Sequence, residues 1–244
     1  MKNKPGSLPV TAAALACALL GLLLRSAAAG ALIAVSICVT LAAAAYALLA
    51  QKERDYACIF EKSIVDTAAS CLGALLILVG CAIDALNAAG AGRYIAVLGG
   101  LSSLALIRAA SLRWAGQKPG AGWYAPMIVY YLAKLFYDYR KWMVDPAILD
   151  YCFMLFAMLL FLLASYYAAV FSFDRGGRRM LLFSAAAGIY FGAVSLPGAD
   201  LAHALVFAGS ALCLLAYLWQ AAAIKAPAPE KGAQPDGAEA PDGE

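Results

Sequence analysis

The chain has 244 residues, of which 64% are hydrophobic, 11% aromatic and 14% charged, with a formal net charge of +3. Soluble domains hold roughly 45–50% apolar and about 25% charged residues, so this composition, with a mean hydropathy of +0.79, excludes a sizeable water-exposed domain. The basic excess is small and lies in loops, not along a stripe, which excludes nucleic acid as a partner and leaves the lipid bilayer as the expected surroundings.

Between the polar ends, Met1 to Ser7 and Ala226 to Glu244, there is room for about eight to ten segments of roughly 20 residues. Apolar runs bounded by charge, Gly or Pro predict eight spans, at about 8–24, 30–50, 64–84, 94–114, 122–139, 147–172, 180–196 and 201–222. The fifth contains Pro126, Lys134 and Asp138, and it also fits an aromatic-rich amphipathic helix lying along the interface. If it crosses and both termini are cytoplasmic, two thirds of the 18 Lys and Arg fall inside, among them Lys52, Arg54, Lys62, Arg113, Lys118, Arg175, Arg178 and Arg179. Arg25, Arg93, Arg140 and Lys141 then fall outside. Without that crossing the Arg175, Arg178 and Arg179 cluster moves outside, so eight spans satisfy the positive-inside rule better. The expected fold is an all-α, polytopic transmembrane helix bundle of about eight spans over 1–224, in the plasma (cytoplasmic) membrane.

Lys2 and Lys4 precede an apolar run that ends at Ala27-Ala28-Ala29, which has the form of a signal peptide. The chain turns apolar again at Ala31, and Arg25 with a short small-residue turn suits a tight outer hairpin, so the first helix is expected to be retained. Residues 225–244, rich in Pro, Ala, Gly and acids, lack apolar periodicity and are expected to form a disordered cytoplasmic tail. The seven cysteines include no C-x-x-C pair, and all but Cys58 fall inside apolar segments, where thiols act as small core residues. Nothing in their spacing calls for a metal or a cofactor.

Lipid gives helices no hydrophobic reason to associate, so small residues four apart mark close packing. Ser184, Gly188 and Gly192 form such a row, as do Gly92, Ala96 and Gly100.

The third span is the most informative. Asp66, Ser70, Gly73, Ile77, Gly80 and Asp84 lie within about 40° of one line at 100° per residue, giving a polar or small face along the whole helix. That face is expected to point into the bundle. An antiparallel hairpin about Ala88-Ala89 sets Asp84 level with Arg93 and Asp66 near Arg108, and isolated charges at membrane depth need such pairing. The plain reading is two intramembrane ion pairs, with Ser63-x-x-Asp66 capping the helix start; a solute or proton-coupling role is the alternative.

A second constellation joins the fifth and sixth spans through Asp145-Pro146, a good helix start. Lys134, Asp138 and Asp150 have comparable depth about that turn, and Lys134 and Asp138 are i, i+4 neighbours. Trp123, Tyr124 and Trp142 read as interfacial belt residues. Tyr130, Tyr131 and Tyr137, nearer mid-span, are the better candidates for lining a polar cavity. The cluster reads equally as structural pairing and as a substrate-binding site. His203 follows Asp200, a predicted N-cap, and its position near a helix start marks it as interfacial, with a pH-sensing or proton-relay role as the alternative.

An intramembrane enzyme is the least favoured class, because H-E-x-x-H, G-x-S-x-G and His clusters are all missing from the sequence. Intramembrane ionisable residues favour a small-solute permease or a membrane-embedded solute-binding subunit. The alternative is a non-catalytic assembly or regulatory protein acting through a partner membrane protein.

Overall fold

The computed structural model describes residues 7–27, 29–54, 56–60, 62–143 and 148–222, and among them regular structure is entirely helical. The order is α1 (Ser7–Ala27), α2 (Ala29–Leu49), a four-residue α3 (Tyr56–Ile59), α4 (Ile64–Asn87), α5 (Ala91–Trp114), α6 (Ala125–Trp142), α7 (Ile148–Phe171), α8 (Arg178–Ser195) and α9 (Leu201–Ala222), with short 3-10 turns at Ala121–Trp123 and Leu196–Gly198. Seven of these, all the long helices except α6, are long and apolar enough to cross a membrane. In α6, 18 residues carry Lys134, Asp138, Arg140 and Lys141, which lowers its hydropathy. The expected tail and the Asp145-Pro146 helix start lie outside the described residues.

The turns follow local chemistry. At the end of α5 the Gln117 N–H donates to the Leu112 carbonyl (2.9 Å) and Gly116 N–H to that of Arg113 (3.0 Å). This closes the helix around Gly116, whose φ of 74° suits a residue without a side chain. Gly90, with φ 59°, reverses the chain between α4 and α5. Ser63 stands at the N-cap of α4, but its side chain makes no capping bond. The expected capping box does not form, because Asp66 turns inward.

The predicted face of α4 is buried: Asp66, Ser70, Gly73, Ile77 and Gly80 all lie inside, with Ala74 and Cys81. Its partner is α9, which runs antiparallel to it. A Cβ added to Gly73 would lie 2.5 Å from the Gly209 carbonyl oxygen, and one added to Gly80 would lie 2.7 Å from that of Ala202. Backbone therefore touches backbone at two levels two turns apart. Helix α5 flanks α4 on its other side, and α8 packs between α7 and α9. Two thirds of α8 is buried (67%), whereas α1 and α2 (17% each) lie against its outer side.

The expected small-residue row of α8 is a packing face: Gly188 meets Leu214 and Leu160, and Gly192 meets Phe161. On α5 the buried row runs Gly92, Ala96, Gly99 and Ser103. Gly99, where a Cβ would stand 2.6 Å from the Tyr130 ring, takes the place expected of Gly100, which faces only Leu78 at 3.7 Å. Helix α6 is antiparallel to α5 along its length, since Gly92 lies by Tyr137, Gly99 by Tyr130, and Leu106 and Met127 share a lining.

Gly73→Ala is expected to destabilise the bundle by about 1–3 kcal/mol through overpacking against backbone. Gly100→Ala should change stability by less than about 0.5 kcal/mol. Thermal unfolding of both variants in one detergent checks the contrast.

Candidate functional site

At the end of the bundle formed by the C-terminal turn of α4, the start of α5, the second half of α6 and the first turn of α9, charged side chains converge. Lys134 Nζ lies 3.4 Å from Asp84 Oδ2 and 3.5 Å from Asp138 Oδ2, and His203 Nε2 lies 3.5 Å from that same Asp138 oxygen. Asp200 caps α9, its carboxylate accepting the His203 backbone N–H at 3.3 Å and touching Nδ1 of the ring. The Lys134 and Asp138 side chains are 5% and 3% exposed. Burial this deep requires the mutual pairing observed.

These groups line a cavity of about 220 Å³ with Asn87, Gly92, Tyr137 and Lys141. Gly92 makes room there, since a Cβ at that position would stand 3.0 Å from the Tyr137 hydroxyl. Asp138 Oδ2 and His203 Nε2 are buried without a hydrogen-bond partner. The arrangement presents both acceptors and donors to a small polar molecule.

Of the residues expected at this site, Lys134, Asp138 and Tyr137 line the cavity. Tyr130 and Tyr131 sit behind it in the core: Cys81 Sγ donates to the Tyr130 hydroxyl at 3.5 Å, and the Tyr131 hydroxyl bonds Ser210. The Asp150 side chain lies outside the described residues. The structure adds Asp84, His203, Asp200 and Lys141. His203 is not merely interfacial, because its ring turns back toward Asp138.

The expected pairs of Asp84 with Arg93 and Asp66 with Arg108 do not form. Asp84 is taken by Lys134, and Asp66 by Arg113, whose Nε lies 3.5 Å from Asp66 Oδ2 while Nη2 donates to Ser70 Oγ at 2.8 Å. The hairpin turns one to two residues later than Ala88-Ala89, at Gly90, and Asp66 comes level with Arg113, five residues beyond Arg108. Arg93 and Arg108 are exposed. Arg108 shares its face with the outward-facing Leu101 and Leu104, where a long side chain can snorkel to the interface.

The Arg113 pair forms a second polar centre, at the opposite end of α4 from the cavity. Its guanidinium lies over the rings of Tyr217 (5.2 Å) and Phe60 (5.8 Å), and its Nη1, like the Tyr124 hydroxyl, is buried without a hydrogen-bond partner. Tyr124 and Trp142, expected in the interfacial belt, are buried, Trp142 stacked on Tyr151 at 4.6 Å. Trp123 is 41% exposed.

A pocket of about 440 Å³ lined by Tyr56, Lys62, Arg113, Lys118 and Asp174 opens over this centre. Asp174, at φ 54°, accepts bonds from Lys118 Nζ (2.5 Å) and the Tyr56 backbone N–H (3.2 Å). It thereby ties the α7–α8 loop to α3 and to the α5–α6 loop. The Lys118 bond, then the Tyr56 N–H bond, hold the Asp174 carboxyl below the usual carboxylate range. Burial raises the Tyr56 hydroxyl above its ordinary value.

Asp66→Ala leaves the Arg113 guanidinium buried without its carboxylate and is expected to cost about 3–5 kcal/mol. Arg93→Gln and Arg108→Gln should each stay within about 0.5 kcal/mol, as read by thermal unfolding. Because the Asp174 pKa is lowered in the folded state, its latch contributes at neutral pH and is lost as the carboxyl protonates. Wild type should therefore be more stable than Asp174→Asn near pH 7, with the difference closing below about pH 4, as followed by melting temperature against pH. Compared with protein-family models, curated proteins and solved structures, the chain matches none.

Proposed function

We propose that this chain is a multi-pass membrane protein that binds a small polar solute in the cavity at Lys134 and Asp138, as a permease or as a membrane-embedded binding subunit. The observation that carries the reading is the convergence of Asp84, Lys134, Asp138 and His203 on a cavity of about 220 Å³. That volume is below the roughly 300–1,000 Å³ of ordinary ligand pockets, so the solute has few heavy atoms. Three carboxylates stand there with two lysines and one histidine, a near balance that suits a molecule offering both a donor and an acceptor.

An eighth crossing fits the packing, because α6 lies antiparallel to α5 along its length and α5 is long and apolar enough to span. Eight crossings return both termini to one side. The positive-inside rule makes that side cytoplasmic, since both termini and the loops on that side, with the helix ends beside them, carry 12 of the 18 Lys and Arg. The Lys134 cavity then opens outward and the Arg113 pocket inward.

Between them runs a seam of hydroxyls and thiols. It passes from Cys81 with Tyr130, through Tyr131 with Ser210, to Cys213, whose Sγ donates to the Ser70 carbonyl at 3.6 Å. Mid-seam the free volume is about 10 Å³, room for no more than about one water. Passage of a solute along this route requires α4, α6 and α9 to part.

In nanodiscs, a thermal-stabilisation screen of small cationic, anionic and zwitterionic solutes should yield at least one that raises the melting temperature by several degrees. Saturation at about 100 times Kd stabilises by about 2.7 kcal/mol. Lys134→Met with Asp138→Asn, which removes both charges of one pair, should fold and lose that shift. A folded double variant that keeps the shift, or a screen without any hit, overturns the reading. Uptake of the hit into proteoliposomes separates permease from binding subunit.

A further inference from the structure

Helices α2 and α7 both stand against α8 without closing on each other, leaving an apolar groove of about 780 Å³. It is walled by Ile33, Ile37 and Leu41 of α2 and Phe153 and Phe156 of α7, and floored by α8. The same face of α2 continues through Ala44 and Leu48 into a second hollow of about 540 Å³, and Phe183 lines both. From Ile33 to Leu48 the face is roughly 22 Å long, more than the roughly 15 Å depth of one leaflet's hydrocarbon.

Arg25 of α1 lines the groove beside Phe153, and toward the opposite end the groove changes character. There its lining becomes Lys52, Arg54, Arg178 and Arg179, with Glu53 the one acid among them. This mouth is built, not frayed: Arg179 Nε donates to the Ala50 carbonyl (2.8 Å), Arg178 Nε to that of Ala221 (2.8 Å), and the Arg178 backbone N–H to that of Glu53 (3.4 Å). Through Nε, Arg179 is pinned to the end of α2, and this is the one hydrogen bond its side chain makes among the described residues. Its two Nη groups remain for an oxyanion. The start of α8, at Gly177, adds its backbone dipole.

We propose that this groove is a binding site for an anionic glycerophospholipid, its phosphate held by Lys52, Arg54 and Arg179 and one acyl chain laid along α2 and Phe183. The charge pattern selects this occupant. A zwitterionic lipid offers the basic mouth no net charge, and a second helix of ordinary apolar sequence offers it no anion. A phospholipid places its phosphate at the interface and its chain at hydrocarbon depth, the same order in which the lining changes. Guanidinium and ammonium groups at such an edge recognise anionic headgroups. The site is independent of the Lys134 cavity and shares no residue with it.

The test uses the full chain in nanodiscs of phosphatidylcholine alone or with phosphatidylglycerol, read by melting temperature and by native mass spectrometry of the lipid retained in detergent. Phosphatidylglycerol should bind at least tenfold more tightly than phosphatidylcholine and raise the melting temperature. Lys52→Gln with Arg54→Gln, both exposed and outside the core, should lower that preference at least fivefold. Leu41→Trp, which fills the groove from an exposed position, should reduce retention of both lipids while the fold is kept, as checked by circular dichroism. Equal retention of the two lipids, or retention of phosphatidylglycerol unchanged in both variants, overturns the proposal. So does a dimer in phosphatidylglycerol nanodiscs that Leu41→Trp dissociates, because a second copy would then fill the groove.

Discussion

The contact on which the rest of the structure depends is the backbone approach of α4 to α9 at Gly73 with Gly209 and at Gly80 with Ala202. In a bilayer, apolar side chains gain nothing by leaving lipid for one another, so association rests on dispersion between closely fitted surfaces and on interior polar bonds. Glycine on both sides at the first level, and glycine against alanine at the second, allow a close fit. Two such contacts along antiparallel helices also set the register, since a slip would drive a carbonyl into a side chain.

That register decides the electrostatics. With α4 held against α9, the Asp84 end of α4 meets the His203 end of α9, and α6 lays Lys134 and Asp138 into the same corner. At the other end Asp66 and Ser70 face Arg113, with Tyr217 of α9 under the guanidinium. Asp66 thus meets Arg113, and Lys134 meets Asp84, across helices, while Asp138 stands between Lys134 of its own helix and His203 of α9. The cost of stranding a charge in a low-dielectric interior makes the two ends strict about which residues fill them. The middle of the seam is occupied by tyrosines and cysteines, which need only hydrogen bonds.

Much of this was legible in the chain. Hydropathy and spacing marked every long helix, the doubtful fifth span is the one helix that fails as an apolar span, and the 100° arithmetic on Asp66, Ser70, Gly73, Ile77 and Gly80 found the buried face of α4. The ion partners were not legible, for a definite reason. About Ala88-Ala89, Asp66 mirrors residue 111, with Arg108 three residues to one side and Arg113 two to the other, so depth alone did not separate the two arginines, of which Arg108 is exposed and Arg113 buried. Topological counting then absorbed Arg113 among the loop cations. His203 escaped for a similar reason, since sequence places a residue along a helix but not the direction of its ring about the bundle.

The amino-acid sequence by itself determined an all-helical architecture with helices long and apolar enough to cross a membrane, the positions of those helices and which face of α4 must be hidden. These follow from local quantities: the transfer of side chains and backbone into lipid and the 3.6-residue period. Which charges meet, which aromatics leave the belt for the core, and where the bundle leaves a cavity or an acyl-sized groove were decided only by tertiary structure. Those outcomes turn on the relative rotation and register of helices distant in the chain, which close glycine contacts between helices control and no single segment encodes.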